Sequence, residues 1–143
     1  MRLEGTVLCN LGLVLEAQGE FDAAYTHYDK AVTVAHDVGD VRLEGQFRGY
    51  LGLLEARLGR FDESRACLTT GEALLLEASD QLSLSLLLCG RAEAEQLAGD
   101  SEAAQHWWQR AQALAAPLQA DAATELGQAL ARGHAMFEQA QPH

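Results

Sequence analysis

The chain repeats itself every 40 residues. "RLEG" at 2–5 returns at 42–45. Under the same shift Gly12 falls on Gly52 and Ala92, Gly19 on Gly59 and Gly99, and Phe21 on Phe61. Ala24 falls on Ser64 and Ala104, Tyr28 on Leu68 and Trp108, Ala31 on Gly71 and Ala111, and Asp40 on Asp80. A fixed period of this size implies one supersecondary unit stacked on copies of itself, because a single unit cannot bury its apolar face alone. Three copies, at about 2–40, 41–80 and 81–117, account for most of the 143 residues, which are read as one domain, 1–143.

Each copy carries two helical stripes. In the first, Val7, Leu8, Leu11, Val14 and Leu15 recur at helical spacing until Gly19. Phe21, Ala24, Tyr25, Tyr28, Ala31, Val32 and Ala35 trace the second. "DVGD" then supplies Gly39 for a left-handed C-cap and Asp40 for the next N-cap. "LSLSLLL" at 82–88 alternates as a strand would, but its register matches the first helix of the earlier copies and no second strand exists to pair with it. The expectation is all-α, with seven helices at about 2–18, 21–37, 41–58, 61–78, 81–98, 101–116 and 121–139. Pro117 stops the sixth, and the seventh carries Leu126, Leu130, His134 and Phe137 on one face, as an end cap requires.

Composition agrees and excludes several functions. The chain is 48% hydrophobic, too apolar for disorder, and has only two prolines. The net charge of −11 opposes a phosphate backbone or an anionic membrane surface, so neither nucleic acid nor membrane is expected. Cys9, Cys67 and Cys89 form no CxxC and argue against a disulfide framework, which fits a reducing cytoplasm. No Gly-rich phosphate loop, HExxH or GxSxG occurs, and the five histidines lack metal-ligand spacing. No catalytic residue, cofactor or metal is expected.

The repeat resembles the tetratricopeptide repeat, a helix-turn-helix unit with the pattern W-x₂-L-G-x₂-Y…A-x₃-F…P. Leu8-x₂-Leu11-Gly12-x₂-Leu15 and Ala24-x₃-Tyr28 carry it in the first copy. Leu51-Gly52 and Ser64-x₃-Leu68 carry it in the second, and Ala104-x₃-Trp108 in the third, where Arg91-Ala92 replaces Leu-Gly. The resemblance implies an α-solenoid, a right-handed superhelix of three helix pairs plus a capping helix. It implies small residues where paired helices cross, and places Tyr28, Leu68 and Trp108 in the gap to the neighbouring repeat. The long period is similar to arrays in bacterial signalling and regulatory proteins and in some animal scaffold proteins. Nine arginines against one lysine also fit a bacterial source.

The same resemblance implies a concave groove lined by the first helix of each pair. Leu13, Tyr50, Leu53 and Leu86 make it mostly apolar, Gln46, Arg57, Glu93 and Gln96 rim it, and Cys9, Gly49 and Cys89 share a small-residue position. The carboxylate clamp of chaperone-binding relatives is missing, since Cys9, Leu13, Gly49, Leu53, Cys89 and Glu93 hold its positions. Arg57, Arg60 and Arg65 are either a solvated face paired with Asp62 and Glu63, or an anchor for an acidic peptide or C-terminal carboxylate. One of Trp107 and Trp108 is core, and Trp108 fits that place. The implied function is non-catalytic binding of a protein or peptide partner. Two alternatives stand beside it: a homodimer formed through the first helix, which has only Met1 before it and reads as the edge of a longer array, and a sensor of a small peptide signal.

Overall fold

The computed structural model describes residues 2–138. Six helices follow one another at a 20-residue interval: α1 Arg2–Ala17, α2 Phe21–Asp37, α3 Val41–Arg57, α4 Phe61–Glu77, α5 Gln81–Leu97 and α6 Ser101–Ala115. A short 3₁₀ turn at Ala116–Leu118 carries Pro117, and α7 spans Glu125–Phe137. The "LSLSLLL" stretch is helical, with Ser85 returning its hydroxyl to the Gln81 carbonyl at 2.9 Å.

One turn chemistry produces the interval. The residue after each left-handed position donates its N–H back five residues: Glu20 to Leu15, Asp40 to Ala35, Arg60 to Glu55, Asp80 to Leu75 and Asp100 to Glu95. Such a turn needs a positive φ, and Gly39 supplies it at +74°. At the matching place in the second repeat Ser79 adopts φ +55° without glycine's freedom. Asp40, Asp80 and Asp100 then cap α3, α5 and α6 by accepting from the third N–H beyond them.

Helices α1, α3 and α5 form one layer, and α2, α4 and α6 the other. Each pair is antiparallel, and the second helix of a pair packs against the first helix of the next. Two residue matches recur at the crossings. Gly12 lies under the Tyr28 ring and Gly52 under Leu68, so close that a Cβ on either glycine would fall 2.6 Å from the larger side chain. Tyr28 and Leu68 thus seat on their own repeat first, and Tyr28 reaches the next by stacking on Tyr50 at 6.0 Å. Ser64 stands where the other copies have alanine because its hydroxyl donates to the Gly52 carbonyl at 2.7 Å. Ala24 and Ala104 are wholly buried at the same register. Ala24→Leu or Ala104→Leu should overpack the crossing and cost about 1–3 kcal/mol, read as a lower urea midpoint at unchanged slope.

α7 begins at Glu125, not at 121. Asp121 forms a turn of its own, its side chain accepting from the Ala123 N–H and its carbonyl from Thr124, and Thr124 caps the helix by accepting from the Gly127 N–H at 3.1 Å. Residue 139, the expected end, lies outside the described residues. Gly133 passes so near the Trp108 ring that no Cβ fits between them, and Phe137 stacks on the ring at 5.5 Å. Trp108 is therefore core, 2% exposed. Trp107 turns away from α7, with the guanidinium of Arg91 over its ring at 3.9 Å and that of Arg110 at 5.1 Å.

Candidate functional site

The inner layer and α7 enclose a groove of about 920 Å³. Leu13 of α1, Leu53 of α3 and Leu86 of α5 form its apolar floor, and Gly49 and Gly90 keep that floor flat. Gln46, Tyr50, Arg57, Cys89 and Glu93 also line it, whereas Gln96 does not. Cys9 sits behind the wall, 3% exposed, in the core shared by α1, α2 and α3. Along the α7 side Glu125, Gln128, Ala129, Arg132, Met136 and Phe137 complete the lining.

Arg57 is held from both sides. Its guanidinium bonds Glu16 of α1, and its Nη2 lies 2.7 Å from Glu93 of α5, so one side chain ties three repeats together. Glu16 also accepts from the Tyr28 hydroxyl at 2.8 Å. Burial opposes the Arg57 charge, but the Glu93 and Glu16 carboxylates outweigh it and hold its pKa above the ordinary value. With its donors engaged, Arg57 offers an incoming carboxylate little. Arg60 instead lies over the Tyr25 ring at 4.9 Å, and Arg65 makes a two-pronged contact with Glu95 at 2.9 and 3.0 Å. The three arginines serve three separate sites.

Glu125 crosses the groove to accept from the Tyr50 hydroxyl. Burial raises the Tyr50 pKa, and the bond to Glu125 adds to it. The thiols are equally unreactive. Burial pushes Cys9 and Cys67 up to about 12 and Cys89 to about 11, far from a thiolate at neutral pH. All three are free, and among the described residues no group of His, Cys, Asp and Glu could hold a metal ion.

The joints between repeats are unequal. Glu95 is satisfied by Arg65, but its counterpart Glu55 meets Tyr25 in the place of that arginine, and Glu55 Oε1 has no hydrogen-bond partner among the described residues. Burial raises the Glu55 pKa and Glu63 adds to it. A carboxyl whose folded pKa exceeds its unfolded one stabilises the fold below the unfolded value, about 4.3, and that contribution is lost as pH rises through the folded value. Glu55→Gln should therefore raise the melting temperature at pH 7 by a few degrees and flatten its rise on mild acidification, as thermal melts between pH 4 and 7 would show.

A tetratricopeptide repeat model matches residues 3–77, and the chain belongs to the tetratricopeptide repeat family. A search of curated protein sequences found no match. The matched segment holds the first two helix pairs, and α5 with α6 repeats their geometry. No helix among the described residues is long and apolar enough to cross a membrane. Reading the sequence for a groove passed over Glu16, Glu125 and Arg132. Glu16 stands one position off the register of Arg57, and the α7 residues lie outside the repeat, so the period marks none of them.

Proposed function

We propose that the groove docks a segment of a partner protein, an amphipathic helix or an extended apolar peptide, and carries out no chemistry of its own. The apolar floor of Leu13, Leu53 and Leu86 inside a polar rim is the observation that supports this reading. The excess of acidic side chains favours a neutral or basic segment, drawn in by the field of a chain at −11. A role within a bacterial signalling or regulatory protein accords with the long repeat period. Sensing of a short peptide signal is the second reading, favoured by α7 closing one side of the groove.

A photo-crosslinking residue placed at Gln46 should capture the partner, and one at Thr69 on the outer layer should not. Leu53→Asp or Leu86→Asp, at half-buried positions that tolerate the change, should cut capture about 10-fold or more with the circular dichroism spectrum unchanged. Capture that is indifferent to both substitutions would overturn the reading.

A further inference from the structure

The wall that α7 gives the groove carries two opposite charges without counter-ions. Glu125 and Arg132 both line the groove, and neither takes part in an ion pair among the described residues. The other charged side chains there are spent, because Glu16 and Glu93 close on Arg57. The Tyr50 hydroxyl fixes Oε2 of Glu125 and leaves Oε1 open to an incoming donor. Arg132 is exposed, and its five donors meet no acceptor among the described residues. Both charges reach the inner layer. Burial dominates the two thiols facing them, but the Glu125 charge adds to the rise at Cys9 and the Arg132 charge works against it at Cys89.

The spacing of the two charges selects a conformation. Seven residues of helix set Glu125 and Arg132 about 10.5 Å apart on nearly one face of α7. A second helix repeats that spacing between its own residues i and i+7, again on one face. An extended strand covers the distance in about three residues, and residues three apart point to opposite faces. The groove's 920 Å³ is also roughly the volume of two turns of a helix ~10 Å across.

We propose that the occupant of the groove is an amphipathic helix lying antiparallel to α7, with Asp or Glu against Arg132 and Lys or Arg seven residues later against Glu125. The proposal rests on the reading of the groove as a docking site and names the chemistry of what docks. Antiparallel packing opposes the two helix dipoles favourably, and it places the partner's acid toward its own N-terminus and its base toward its C-terminus, where each is most stable. Apolar residues at i+3 and i+4 then fall between the two charges and meet the floor at Leu53 and Leu86. The matched pair is neutral, so it fixes orientation and register without opposing the field of a chain at −11.

A phage-displayed library of amphipathic helices of about four turns, with the polar positions randomised, tests this. Helices enriched on the parent protein should carry the acid at i and the base at i+7. Exchanging the charges of α7, Glu125→Arg with Arg132→Glu, keeps the net charge and should enrich the reverse order. Exchanging two exposed charges on α2, Asp29→Lys with Lys30→Glu, should enrich the parent's order. Reversing the pair in a selected peptide should weaken its binding to the parent about 10-fold, restore it on the α7 exchange, and matter less in 1 M salt. Helices that are lost on Leu53→Asp or Leu86→Asp yet show no such order, or the same order on the α7 exchange, would overturn this proposal and leave the docking reading standing. No enrichment, or enrichment indifferent to Leu53→Asp and Leu86→Asp, would overturn both.

Discussion

Gly133→Leu is expected to unseat α7 while α1 to α4 stay folded. The new side chain would have to enter the space of the Trp108 ring. That ring cannot retreat, being 2% exposed, stacked on Phe137 and edge-on to His134 at 5.3 Å. Overpacking of this severity costs about 3 kcal/mol or more. The loss falls on α7 because it packs mainly against α5 and α6 and reaches α3 through the Glu125–Tyr50 hydrogen bond. Tryptophan fluorescence should shift to the red as Trp108 meets water, and amide exchange should quicken through 125–137 and remain slow in α3. Trp108→Ala alone should cost about 3–5 kcal/mol. Combined with Gly133→Leu it should cost clearly less than the sum, since the leucine then occupies the vacated space.

Gly52→Leu should have the larger consequence, because it strikes the middle of the stack. A Cβ at Gly52 would lie 2.6 Å from Leu68 Cγ, and the same crossing holds the Ser64 hydroxyl on the Gly52 carbonyl. Leu68 is 1% exposed and has nowhere to move. The local cost is again about 3 kcal/mol or more, but α3 and α4 are the joint through which the outer repeats support one another. Three repeats are about the minimum for stability, so the whole array should lose its cooperative melt rather than one end fraying. A sharp melt retained at the parent temperature would show that the crossing is looser than the geometry implies.

The contrast between these two sites explains what the amino-acid order reveals. Gly12, Gly52, Tyr28 and Trp108 are legible because the same contact is written at 40-residue intervals, and six helices fall within one residue of their expected ends. The start of α7 is not, since Asp121 and Thr124 make a private turn with no copy elsewhere. The groove divides in the same way. Leu13, Leu53 and Leu86 follow from the repeat, whereas Glu125 enters from the unrepeated α7. Trp107 is a third case: its partner Arg91 stands where the family pattern has leucine, and only the folded chain brings the two together.

The hold of Glu16 and Glu93 on Arg57 changes the mechanics of the array. A stack whose members touch only their neighbours is a soft spring, because a small give at each joint adds up along its length. Here a tie runs from the first member to the third across the mouth of the groove. Bending that widens the mouth stretches ion contacts, while bending that narrows it meets no such resistance. The elasticity is therefore one-sided, and the restoring force is electrostatic. Arg57 is about a third exposed, so added salt slackens the tie without touching the helices it joins. Stiffness against opening becomes a property of the medium, adjustable at constant fold.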